Sequence, residues 1–389
     1  MYANMKRMNH DMAVSPIVAT LVLIVVAVIG AVAVGTIMGT FSTSVSKQAN
    51  TGQAASAAQT EILVAGSTTL QPVEMNLAAD YNKLNPGIQI NVQGGGSGAG
   101  VSSVAMGISD IGASSSASKI TSAETANPNT PGYQNLYVAI IGGRGVAWCT
   151  NAASPAVNSS TPVAAADLAA AYNNALSTGA NNASAAFTGN ISTSAILVSR
   201  SDSSGTEDDA SNWLFGTTGM INSTHSVTEN GNEGVRSYIA TTPYALGFVD
   251  AGWALQNPSG ITILSVTDWP AGTTPEGWYK STGRTYAAVS TSSMTNALKD
   301  WYYGNAQDTT SPTISAGVVT KNYPQGLVGG MYWITPSTVP TTFTQRGTIN
   351  VQGSSASSST IKDLLNFAQS PGETTAYTTA GDVALNQFM

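Results

Sequence analysis

Charge is what this sequence has least of. Only 9% of its 389 residues are Asp, Glu, Lys or Arg, against about a quarter in an average soluble domain, so solubility rests on Ser, Thr, Asn and Gly. The imbalance is acidic, with a formal net charge of −7, and no run of Lys and Arg occurs. That excludes the basic face a nucleic acid requires, and no nucleic-acid partner is expected. The lone Cys149 cannot form an intrachain disulfide, and the two histidines, His10 and His225, offer no zinc spacing. No metal or cofactor is therefore expected. The same scarcity weighs against hydrolytic chemistry, because a hydroxyl nucleophile needs a base within hydrogen-bond reach. His225 lies in the polar stretch "MINSTHSV" with no other catalytic signature. The Gly-x-Ser-x-Gly elbow fails at Ala99, as does a dinucleotide fingerprint counted from Gly94, and no Gly-Lys-Ser/Thr follows. No enzyme is expected.

What the sequence does have begins with one long apolar run. No charge occurs from Met12 to Ser46, and "AVSPIVATLVLIVVAVIGAVAVGTIM" exceeds the ~20 apolar residues that span a bilayer as a helix. It is longer than the roughly 7–15 apolar residues of a removable secretory signal, which predicts a retained anchor. Lys6 and Arg7 precede it, so the positive-inside bias places residues 1–12 in the cytoplasm as a leader, 13–41 in the membrane, and the rest outside. Residues 42–60 are small, polar and aperiodic, a flexible tether. The short polar leader and the Ser15-Pro16 pair opening the apolar helix resemble the N-terminus of archaeal type IV pilin-like proteins. That resemblance implies a leader trimmed on the cytoplasmic side, at one of several positions within "NHDMAV", and a helix that anchors the chain in the cell membrane or self-associates in a filament.

Beyond the tether the periodicity changes. "EILVAG" reads as a strand, "PVEMNLAADYNKLNP" as a helix ending at Pro86, and "IQINVQ" as a second strand, followed by "GGGSGAG", a helix "VSSVAMG" and a strand at "SDIGAS". This is α/β organisation, in which ligands sit beyond the carboxyl ends of the strands. Three loops there share one chemistry. "AGSTTLQP" brings Ser67, Thr68 and Thr69 to a helix start; "GGGSGAG" sets Ser97 among glycines; "RSDSSGT" combines Arg200, Asp202, Ser204, Gly205 and Thr206 at the start of "EDDASNWLF". Hydroxyls, free helix N–H groups and a guanidinium together favour an anion. Taken singly, each loop also reads as a capped helix start or an ion-paired turn. Glu207, Asp208 and Asp209 need no cation, since carboxylates in a first turn suit the helix dipole.

"ILVAGSTTLQPV", "INVQGGGSGAG", "SDIGASS", "RSDSSGT", "GNEGVRSYIATTPYALGFV", "YPQGLVGGMYW" and "LLNFAQSPGETTAYTTAGDVAL" occur in that order, and together they resemble the phosphate-binding proteins of ABC-type importers from about Glu61 to Leu385. The resemblance implies a two-lobed, type II periplasmic-binding-protein-like α/β fold with a hinge, one lobe at 61–143 and 318–389, the other at 144–317. It implies a receptor on the extracellular side that captures inorganic phosphate between the lobes and delivers it to an ABC permease. Phosphate contacts are expected from Thr68, Thr69, Ser97, Asp110, Arg200, Ser204, Gly205 and Thr206, with Ser67 and Asp202 in support, Asp202 bracing Arg200. Asp110 is expected to accept the proton that phosphate keeps and sulfate lacks, so phosphate should bind far more tightly. The family often places an arginine where Ser116 stands, and the segment from 169 keeps only "FTGNI" of the expected pattern. A pilin-like structural subunit, or a filament-displayed receptor for phosphate or another tetrahedral oxyanion, is the alternative.

Overall fold

The computed structural model describes residues 60–158, 161–178, 190–221, 226–272, 281–309, 313–337 and 359–389. The expected leader, membrane helix and tether up to residue 59 lie outside the described residues, as do His10 and His225. Among the described residues, no helix is long and apolar enough to cross a membrane.

Alternation in "TEILVAG" forms β1 (Thr60–Gly66), with Ile62 and Val64 buried. Helix α1 (Gln71–Leu84) starts with Pro72 in its first turn, where a missing N–H costs nothing. It buries Val73, Leu77, Ala78 and Tyr81 along one stripe and stops at Asn85, ahead of Pro86. The chain returns as β2 (Ile88–Gly94), parallel to β1 with Ile62 opposite Ile90. Helix α2 (Ser97–Ala105) and strand β3 (Ile111–Ser114), also parallel to β1, repeat the unit, and α3 (Ala117–Ala126) follows.

Strand β4 (Leu136–Asn151) is 16 residues long and joins the two lobes. Its first part pairs antiparallel with β9 (Val328–Pro336), and β10 (Val383–Ala384) adds to it at Gly142 and Gly143. Its last part pairs with β7 (Ala245–Asp250) and β8 (Ile261–Ile263). Beyond β7 lie β5 (Ile196–Arg200) and β6 (Val227–Glu229), mutually parallel. The sheet order is thus β2-β1-β3-β9-β4-β7-β5-β6. Each side has its own core. Ile62, Leu77, Ile111, Trp333 and Tyr377 pack on one; on the other, Trp148 lies 5.4 Å from Phe248 and 5.9 Å from Tyr172, ring centre to ring centre. The helices that follow include α4 (Ala165–Thr178), α5 (Gly205–Phe215), α6 (Gly231–Thr241), α7 (Ala251–Gln256) and Thr291–Tyr303, which adds Met294, Leu298 and Trp301 to the second core.

A small second sheet joins Val163–Ala164, Val266–Thr267, Thr285–Tyr286, Val318–Val319 and Ile314–Ser315. Val318 and Val319 pair with Thr285 and Tyr286, so the chain is still within this sheet at residue 318, where the resemblance implied the start of the returning segment. It leaves through the short helical turn Gln325–Leu327 and enters β9.

Candidate functional site

The three anion-suited loops meet. Each ends a strand and opens a helix: Gly66 leads to α1, Gly94 to α2, and Arg200 to α5. Ser204 caps α5, its hydroxyl accepting from Glu207 N at 3.2 Å, while the first N–H groups of that helix have no intrahelical acceptor. Gly96, at φ +89°, turns the chain into α2. Gly98 then lies so close to the third loop that a Cβ would stand 2.2 Å from Ser203 Oγ, and Gly98 N donates to Ser203 O at 3.1 Å. The helix therefore starts inside the glycine run, four residues ahead of the "VSSVAMG" read from the sequence.

Side chains close the contact. Thr69 and Thr206 share a hydrogen bond of 2.9 Å between hydroxyls, and Ser97 and Ser115 share one of 3.1 Å; in both pairs either oxygen can donate. Ser97 Oγ also accepts from Ser115 N. Ser67, Thr69, Ser97, Ser115, Ser204 and Thr206 are all buried, and Thr68 is half-buried. Ser67 Oγ accepts from Thr69 N and so fixes the first loop.

Arg200, 4% exposed, supplies a formal positive charge to the cluster. Its Nε and Nη2 donate to the two Asp202 oxygens at 2.8 and 2.7 Å, Nη2 also to Thr68 Oγ1 at 3.0 Å, and Nη1 to Asn232 Oδ1 at 3.1 Å. A guanidinium has five N–H groups, so one on Nη1 is left for a further acceptor. Burial pushes the Asp202 carboxyl up, but hydrogen bonds from Arg200, its charge and the Gly231 N–H outweigh that and hold it below its ordinary range. Asn232 completes the frame, donating to Thr69 Oγ1 at 3.0 Å and accepting from Asp250 N at 2.9 Å. Trp253 Nε1 donates to Thr68 O at 3.0 Å from the second lobe. Beside the cluster opens a cavity of about 180 Å³ whose lining includes Thr68, Gly94, Gly95, Asn232, Glu233 and Trp253. Hydroxyls that turn, backbone donors at helix starts and one braced guanidinium suit a small oxyanion with several acceptor oxygens.

Asp110 is not among them. It is exposed, ahead of β3 rather than after it, and its Oδ2 accepts from Leu63 N at 2.9 Å. A residue preceding a parallel strand lies at the amino end of the sheet, opposite the ligand crevice. The expectation that Asp110 faces the ligand is corrected on that ground. The residue of the same motif at the carboxyl end of the sheet is Ser115, directly after β3, where it lines a second cavity with Ser116, Arg144, Asp208 and Asp209. Strand direction alone would have selected it. Asn232 and Trp253 carried no such signal, because their contacts cross from other segments.

Arg144 was also missed. Buried on β4 at the crossing, it donates through Nη2 to Ser115 O and pairs at 2.5 Å with Asp209 of α5. No arginine stands at position 116, and a guanidinium from β4 lies against Ser115 instead. Ser116 and Ser118 bond to Asp208 at 3.0 and 2.6 Å, and Lys119 pairs with it at 3.0 Å. Among the described residues no group of three or more His, Cys, Asp and Glu is placed to hold a metal.

Comparisons with known proteins agree with this architecture. A phosphate-binding protein PstS of Xylella fastidiosa is 28% identical over 277 residues, an alignment that takes in 67% of this chain and 71% of that protein. A periplasmic phosphate-binding protein, PfluDING, solved with phosphate, superposes with a TM-score of 0.52 at 17% identity, over 84% of this chain and 90% of that one. A substrate-binding protein from Clostridium perfringens, solved with bound phosphate, gives 0.51 at 14% identity over 84% and 99%. At such identities the two structures establish the two-lobed fold alone. The model of the PBP superfamily domain matches residues 51–336, most of the chain including β4 and all three loops, and by that match the chain belongs to the PBP superfamily.

Proposed function

We propose that this protein is an extracytoplasmic receptor that captures inorganic phosphate between its two lobes and delivers it to an ABC permease. The observation that carries the reading is the meeting of Thr68, Thr69 and Ser97 from one lobe with Arg200, Ser204, Gly205 and Thr206 from the other. The relative and both structural neighbours named above are phosphate binders by name or bound ligand, which supports the choice of anion. In this reading one lobe spans 60–143 and from about 325 to 389, the other 144 to about 324. The hinge is β4 together with the return into β9. Closure is favoured by ligand because only the closed form offers donors from both lobes at once. The uncharged run from Met12 to Ser46 supports tethering at the cell membrane through one N-terminal helix, with pilin-type processing as its route.

Titration calorimetry on the full-length chain in mild detergent tests the reading. One-to-one phosphate binding is expected. Absence of any phosphate heat, with the chain folded by circular dichroism, would overturn it.

A further inference from the structure

A site that rejects sulfate in favour of phosphate needs an acceptor for the proton only phosphate carries, and a fixed carboxylate is such an acceptor. The carboxylates close to the cluster are, except for one Asp250 oxygen, engaged elsewhere; Glu233, which lines the cavity beside it, pairs with Arg236 at 2.6 Å. Asp202 spends both oxygens on Arg200 and accepts Gly231 N as well. Glu207 Oε2 accepts Arg200 N at 2.9 Å. Asp208 is held by Ser116, Ser118 and Lys119, and Asp209 by Arg144. Asp250 Oδ1 accepts Trp253 N at 3.3 Å and lies near Asp382 across Gly252, where a built Cβ is 3.0 Å from the one carboxylate and 3.1 Å from the other, while Asp250 Oδ2 is buried without a hydrogen-bond partner. Asp110 lies at the far end of the sheet, on Leu63 N. Among all the acidic residues of the sequence, only Asp11 and Glu276 fall outside the described residues.

Hydroxyls also face one another across the lobes, Thr69 against Thr206. Ser115, 1% exposed, stands at the centre of the contact, where a Cβ on Gly205 would lie 2.4 Å from its Oγ. A hydroxyl donates to an unprotonated oxygen and, once rotated, accepts from a protonated one. The Ser97–Ser115 and Thr69–Thr206 pairs have this freedom in both directions.

We infer that this site takes tetrahedral oxyanions as a class, phosphate and sulfate alike, because Ser115 and its hydroxyl neighbours stand where a discriminating carboxylate would be required. The inference rests on the receptor reading above and widens its ligand class. It replaces the selectivity expected from Asp110.

The test is a pair of titrations on the full-length chain at pH 8, with sodium phosphate and with sodium sulfate. A site built around a ligand's hydrogen rejects the analogue lacking it by about 10⁴–10⁵-fold, whereas turnable hydroxyls are expected to hold the two anions within roughly thirtyfold. Phosphate binding with sulfate weaker than that overturns the inference and leaves the receptor reading intact; binding of neither anion removes both. Ser115→Asp gives an independent arm. It is expected to lower sulfate affinity at least about a hundredfold more than phosphate affinity, by installing the missing acceptor. An unchanged ratio in a variant that still binds phosphate would mean that position 115 does not face the ligand, and the inference fails. Ser115→Ala should shift the wild-type ratio by less than about fivefold, the scale of one neutral hydrogen bond.

Discussion

At the residue scale the site separates charge from hydroxyl. Hydrogen bonds to a charged group are worth about 1.5–3 kcal/mol and neutral ones about 1. Arg200→Ala is therefore expected to weaken phosphate binding about 10–100-fold in calorimetry, and Ser97→Ala by less than about tenfold. Arg200→Lys should fall nearer to Ala than to wild type, because an ammonium cannot serve both Asp202 oxygens, Thr68 and Asn232 in one plane. Asp110→Asn is expected to leave affinity within about twofold, since the side chain meets only Leu63 N on the far side of the sheet. A larger loss for Asp110→Asn would return the carboxylate to the ligand. Loop chemistry made most of the cluster legible: hydroxyls and glycines at helix starts have few other uses in such number. Position within the motif was not legible from residue type. Asp110 carries the more distinctive side chain, and Ser115 the better place.

At the element scale, the strand-helix-strand pattern from Glu61 to Ser114 could be read from periodicity because β1, β2 and β3 bury alternate or continuous apolar residues and α1 keeps one stripe. The start of α2 could not, because glycine is a poor helix former. The structure supplies the reason glycine is there. A Cβ on Gly100 would stand 2.3 Å from Ala113 O and 2.9 Å from Ala65 O, both backbone atoms that cannot turn aside. Helix α2 thus packs directly on β1 and β3, which brings Ser97 to Ser115. Gly100→Ala is expected to destabilise the domain by about 1–3 kcal/mol through overpacking. Gly87→Ala, with nothing within 4 Å, should change stability by less than about 0.5 kcal/mol in the same urea titration. Equal effects would remove the packing explanation. The point of the return crossing after residue 318 could not be read for a different reason: two-residue strands such as Val318–Val319 carry no periodicity.

At the scale of the whole molecule, scarcity of charge concentrates titration in a few buried groups. Burial pushes the Glu74 carboxyl up to about 8, against the opposing hydrogen bond from Trp333 Nε1 at 2.7 Å, and its Oε2 has no hydrogen-bond partner. Burial also raises Asp250 and Asp382, which face each other across Gly252 with Arg144 as the opposing charge. A raised carboxyl holds its proton in the fold after the unfolded chain has lost it. Its contribution is thus fully present below the unfolded value near 4.5 for Glu74, declines above it, and is gone once pH passes about 8. Asp202 and Glu233, both lowered by arginine partners, act in the opposite sense and are lost only as pH falls through the acid range. Thermal stability without ligand is accordingly expected to peak in mildly acidic buffer and to fall steadily from about pH 5 to about pH 8.5. Glu74→Gln keeps an acceptor for Trp333 and cannot ionise, so its melting temperature should fall less over that interval than that of the wild type. A Glu74→Gln profile parallel to wild type would show that Glu74 does not hold its proton in the fold over that interval.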